Sequence, residues 1–187
     1  MYLGNVFHHT TLRSLLENAE GESVIAEAEV VENHLHNYER WFGASGGQVG
    51  PGLQTSLTPF RVTSGGGANT FGVANAVFTG VETPTRVGMT KFDFHRIHVV
   101  DAQNNNKNYR LRVANNSLGH TSWASAVADG VYSDACFRLS TGANQPQSIE
   151  IQSLRLPSGT IVWVAVATLD VAVQWLDFLV GIHEYAE

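Results

Sequence analysis

The chain changes its hydrophobic rhythm at Trp41-Phe42-Gly43. Before that point Val24, Ala28, Val31, Leu35, Tyr38 and Phe42 recur at alternating steps of four and three, which sets them on one helical seam with Glu27, Glu29, Glu32 and Glu39 off it. Ser23 offers a side-chain oxygen as N-cap. Glu22 and Glu27 lie near the positive end of the helix dipole and Arg40 near its negative end. The pattern predicts a helix from Ser23 to Phe42, with a shorter helical stretch over 11–19 before it. Its seam suits two roles, packing on the chain's own sandwich or packing against other copies of the chain.

Beyond the junction the period becomes two. Tyr109, Leu111 and Val113 alternate with Arg110 and Arg112, the mark of a strand with one buried and one wet face. Strands are expected near 57–62, 71–79, 86–100, 108–114, 132–139, 147–156, 160–168 and 173–185, joined by turns and by glycine-rich connections at Gly43–Gly52 and Ser64–Gly67. Val162, Val164 and Val166 interleave with Ile161, Trp163, Ala165 and Ala167, so both faces of that strand are apolar and its outer face needs a cover. The fold class expected is mainly β: a two-sheet antiparallel sandwich, jelly-roll-like, with an N-terminal α-helical segment. A jelly roll ranks ahead of an immunoglobulin-like topology because there is no Cys–Trp–Cys framework. The division expected is an arm and helix over 1–43 and a β-sandwich domain over 44–187.

Composition narrows the function classes. Charged residues are 15% of the 187, against roughly 25% in an average soluble domain. Only Lys91 and Lys107 are lysines among eleven basic residues, and the bias to arginine is that of protein–protein interfaces. A net charge of -6 with no basic run argues against nucleic acid as a partner, since phosphate neutralisation dominates such binding. No stretch reaches the roughly 20 apolar residues of a membrane-spanning helix, and the apolar start Met1–Phe7 lacks the cationic flank of an export signal. The expectation is a protein made in a cytoplasm and not placed in a membrane. Cys136, the single cysteine, is expected to be a buried, inert thiol.

Candidate chemistry is sparse. Gly43-Ala44-Ser45-Gly46-Gly47 fits G-x-S-x-G, but a nucleophile elbow needs a strand before the serine and a helix after it, whereas here a predicted helix comes first. His34-x-His36-x-x-Glu39 resembles the ligand set of cupins, yet on a helix His34 and His36 point about 200° apart. His95 and His98 face opposite sides of a regular strand. Asp93, Asp101, Asp129, Asp134, Asp170 and Asp177 are the carboxylates from which a glycosidase pair would be drawn, and no spacing selects two of them. No catalytic residue, cofactor or metal is therefore assigned.

Glu32–Gly43 and Asp177–Tyr185, together with Leu57–Arg61 and Phe94–Ile97, resemble segments of an uncharacterised family of tailed-phage virion proteins. The resemblance implies a β-rich, head-associated structural protein: a capsid decoration or cement protein in the virion, without catalytic residues. Its partners would be itself, as a homo-oligomer, and the major capsid protein or other virion proteins. A trimer suits the local threefold positions of a shell. The interface residues expected are Val24, Ala28, Val31, Leu35, Tyr38 and Phe42. Two alternatives stand beside it: a head-fibre or receptor- and glycan-binding sandwich using loops such as Asn104–Asn106 and Asn115-Asn116, and a cupin-like metal enzyme.

Overall fold

The computed structural model describes residues 39–44, 46–47, 57–81, 87–139, 147–151, 153–169 and 173–186. Its elements in chain order are β1 (Arg40–Gly43), β2 (Gly46–Gly47), β3 (Phe60–Thr63), β4 (Asn75–Thr79), β5 (Lys91–Ala102), β6 (Asn108–Asn115), α1 (Trp123–Ala128), β7 (Tyr132–Arg138), β8 (Gln147–Glu150), β9 (Leu156–Pro157), β10 (Ile161–Thr168) and β11 (Trp175–Tyr185). Val24, Ala28, Val31, Leu35, Tyr38 and the predicted helices up to residue 38 lie outside the described residues.

The strands form two antiparallel sheets. One runs β2-β1-β11-β5-β8, with β3 also on β11 and β9 also on β5; the other runs β4-β10-β6-β7. Between them lies a core in which alternate residues of each strand meet: Phe92, Phe94, Ile97 and Val99 from β5, Leu176, Phe178, Val180 and Ile182 from β11, and Leu111, Val113, Val162, Val164 and Val166 from the facing sheet. Phe78 is its aromatic hub. Its ring makes edge contacts with Phe42, Phe92 and Phe94 at centroid distances of 5.2, 5.7 and 6.3 Å, the geometry aromatic quadrupoles prefer.

Phe42 corrects the expected end of the helix. It sits in β1, paired with Val180, and its side chain is buried in the sandwich core. The four-residue step from Tyr38 continues the heptad arithmetic, but Trp41-Phe42-Gly43 also suits a strand buried on both faces, and pairing with β11 satisfies its backbone. A residue whose ring fills the sandwich core is not part of a surface between subunits.

Two features of β5 and β11 position the candidate site. The inward-facing residues of β5 are Phe92, Phe94, Ile97, Val99 and Ala102, while Val100 is exposed, so the period of two breaks twice. The register shows why: Gly181 pairs with Arg96 and Ile182 with Phe94, leaving His95 as the extra residue of one bulge, and Val100 is the extra residue of another. Opposite the first bulge, Gly181 leaves room for a close approach. A Cβ there would collide with Oε1 of Glu39 and lie 3.2 Å from Cγ of Arg96.

The expected strand over 147–156 is split in two. Ser153 Oγ accepts the backbone N–H of Phe94 at 2.7 Å, so a side chain replaces a ladder partner between β8 and β9. The outer face of β10 is covered in part within the chain. Ala165 and Ala167 are fully buried opposite Arg112 and Arg110 of β6, while Ile161 and Trp163 are half-buried. Arg112 stacks over Tyr132 at 3.6 Å and over Phe71 at 4.6 Å, and Phe71 meets Trp123 of α1 at 6.3 Å. Cys136, expected to be buried, is exposed. It shares the outward face of β7 with Tyr132, Asp134 and Arg138, where exposure alternates along the strand.

Candidate functional site

The outward face of the first sheet, opposite the core, carries the densest chemistry among the described residues. Glu39 enters β1 next to the pair Arg40–Ile182, His183 stands on β11 opposite Asp93, and the bulge turns His95 to the same side. The His95 and His183 ring centroids are 4.0 Å apart at 42°. One ligand atom each from Glu39, His95 and His183 lies within 4.8 Å of the others. Glu39 and His183 are buried and His95 half-buried.

Around this triad sits a polar frame. Tyr185 donates its hydroxyl to Asp93 Oδ2 at 2.6 Å, and Asp93 Oδ1 accepts the backbone N–H of His183 at 3.3 Å while lying 3.4 Å from His183 Nδ1. Burial opposes the charge on Asp93, but the bonds from His183 and Tyr185 outweigh it and hold the carboxyl below its usual range. Burial, and then the bond to Asp93, raise the Tyr185 phenol. Arg96 Nε lies 2.8 Å from Glu39 Oε1, and an Arg96 Nη2 to His95 Nε2 contact at 3.3 Å ties the same guanidinium to the triad. Even so, burial outweighs the arginine and lifts the Glu39 carboxyl above its ordinary value. The arrangement presents two imidazoles and a carboxylate with a second carboxylate behind one imidazole, a donor set able to hold a cation.

The other sequence candidates are dispersed. His34, His36, Ser45 and Asp170 lie outside the described residues. His98 stands apart from the triad, edge-on to Trp41 at 5.8 Å, with Nδ1 2.9 Å from Ser148 Oγ, and burial lowers its basicity. Asp177 is held by Arg61 through two bonds of 2.7 and 2.6 Å and faces Asp101 across the β5–β11 ladder. Asp134 receives both Arg110 and Arg112. Asn104 donates to Gln174, Asn106 accepts from Arg138, and Asn116 caps the backbone N–H of Ile161. These loop asparagines tie their loops to other segments of the sandwich. Of the residues singled out by motif, the structure thus unites Glu39 and His95, and it adds His183, which follows the inward Ile182 on the outward side of β11.

No protein-family model matches the chain, and no curated protein matches it. Among solved structures it is similar to the T=1 subviral particle of a deletion mutant of the Penaeus vannamei nodavirus capsid protein, at 7% identity and a TM-score of 0.29, over 70% of this chain and 92% of that one. No helix among the described residues is long and apolar enough to cross a membrane.

Proposed function

We propose that this chain is a virion structural protein, not an enzyme: a jelly roll that assembles as a homo-oligomer and decorates or cements a phage capsid shell. The observation that carries the reading is the strand order. With β1, β2 and β9 set aside, the first sheet reads β3-β11-β5-β8 and the second β4-β10-β6-β7. Eight strands interlocked in this way are the wiring of a jelly roll, an architecture used by viral capsid domains and also by lectins and cupins.

Three further features weigh toward the shell. The segments that resemble tailed-phage virion proteins converge in one sheet, since β1, β3 and β5 all lie against β11 or its direct partner. The space between the sheets is filled by the rings of Phe42, Phe78, Phe92 and Phe94, where a cupin-like enzyme would need a cavity for substrate. Val81 and Val87, on the loop from β4 to β5, and Leu118, on the loop leaving β6, are 87%, 102% and 74% exposed. Both loops lie at the same end of the sandwich, and in a charge-poor chain such side chains fit contacts with neighbouring subunits. Binding only to the assembled lattice would stabilise it by mass action, and many weak repeated contacts would add through multivalency.

The test is immunogold electron microscopy of purified parent virions with antibody to this chain, alongside a glycan array of the purified protein. The reading expects regular labelling of the head and a silent array. A strong glycan signal with label confined to fibres would move the function to receptor binding. Virions without label would end the structural reading.

A further inference from the structure

The geometry points to a site for one divalent transition-metal ion, zinc by its donor chemistry, held by Glu39, His95 and His183 on the outer face of the first sheet. Four observations converge on it. The three side chains come from three adjacent strands or their entry points, and their ligand atoms already lie within 4.8 Å of one another. Small rotations bring such atoms to the roughly 2.0–2.2 Å at which imidazole nitrogen and carboxylate oxygen bind zinc. A set of two imidazoles and one carboxylate selects a borderline ion such as zinc over calcium or magnesium, which take oxygen ligands.

The second shell is also in place. Asp93 lies on the Nδ1 side of His183, 3.4 Å away, and is itself fixed by Tyr185 at 2.6 Å. That fixes the His183 ring with Nε2 turned away from Asp93, the carboxylate–histidine arrangement that metal-ligating histidines use to fix ring orientation. Finally, the β-bulge puts His95 on this face, and Gly181 removes the side chain that would block Glu39 from it.

Arg96 is the competitor. Its guanidinium holds Glu39 at 2.8 Å, and with a side chain 22% exposed it has a path outward when a dication takes its place. With neutral imidazoles, Glu39, Asp93 and Arg96 sum to one negative charge, so an ion of charge two is matched better once Arg96 withdraws. The ion would pin the entry of β1 to β5 and β11. A water would complete its tetrahedral coordination.

The experiment is titration of the full chain, stripped with chelator, with zinc chloride in an isothermal calorimeter, with magnesium and calcium chlorides as comparators. Thermal unfolding and cobalt absorption are read on the same samples. The expected result is one zinc ion per chain, a raised melting temperature, and d–d bands of cobalt bound by nitrogen and oxygen. His95→Gln and His183→Gln are expected to abolish binding, Asp93→Asn to weaken it by about 10- to 100-fold, and Arg96→Gln to strengthen it by removing the rival cation. Circular dichroism of the metal-free variants confirms that each is folded. Binding left intact in both histidine variants would assign the ion to other histidines, such as His8-His9 or His34 and His36, and overturn the proposal. So would a stripped wild-type chain that takes up no zinc.

Discussion

At the scale of single residues, side chains named by the sequence take different roles once the ladder register is known. His98 is the clearest case. Edge-on to Trp41 and half-buried, its ring is harder to protonate than the ordinary value of 6.5. The unfolded chain therefore binds a proton that the folded chain resists, and the folded state loses stability as the pH falls below 6.5. Thermal melts between about pH 7 and about pH 5 should show a falling melting temperature, and His98→Gln should flatten that slope. An unchanged slope would place the acid sensitivity elsewhere. Phe42 offers a second test. Its ring fills the core beside Phe78, so Phe42→Ala is expected to cost about 3–5 kcal/mol in chemical denaturation. A residue of a subunit seam would instead leave monomer stability untouched and change only the mass.

His95 shows why the candidate site was half legible in the sequence. An even-spaced strand would put His95 and His98 on opposite faces; the bulge at His95 puts both on the outward face, where His183 meets the one and Trp41 the other. The spacing of Phe92, Phe94, Ile97, Val99 and Ala102 carries that bulge in plain view, as two breaks in a period of two. Nothing in the linear pattern tells which strand lies alongside, so the meeting of Glu39, His95 and His183 became visible only with the pairing.

At the scale of elements, strands were legible because alternation survives wherever one face is wet. The eight expected strand regions all contain strand, with the 147–156 region divided at Ser153. The helix α1 was missed because six residues leave no room for a periodic stripe, and its capping box closes through Ser122 and Ser125 where a Glu or Gln is the usual signal. The end of the long predicted helix was misplaced for the reverse reason: one more step of four fitted the seam, and the strand that claims Phe42 is only four residues long.

Two element-level predictions follow from close packing. Gly181→Ala pushes a methyl group into Glu39 and Arg96, at an expected cost of about 1–3 kcal/mol, and it should shift the denaturation midpoint without changing the fold seen by circular dichroism. On the other sheet, Arg112 is bonded twice to Asp134, at 2.7 and 2.8 Å, and sandwiched between Phe71 and Tyr132. Lysine has neither the planar fork nor the stacking face, so Arg112→Lys should destabilise while Arg110→Lys does so less. Burial opposes ionisation of Asp134, but hydrogen bonds from Arg112 and Arg110 hold its pKa below the ordinary 3.8. Its contribution is therefore present at neutral pH and is lost as the pH falls through that lowered value. Asp134→Asn should remove that part of the acid sensitivity.

At the scale of the whole molecule, a charge-poor, arginine-biased sequence is joined to a sandwich of two antiparallel sheets. Its apolar rings are spent between the sheets, while Val81, Val87 and Leu118 stand exposed on loops at one end. In the proposed assembly such side chains would be contacts with neighbouring subunits. The most direct measurement is the sedimentation-equilibrium mass of the purified full chain, with a Val87→Asp and Leu118→Asp double variant run beside it. The account predicts a mass of two or more chains, falling toward a single chain in the variant. A wild-type chain that sediments as a monomer at every concentration would contradict it.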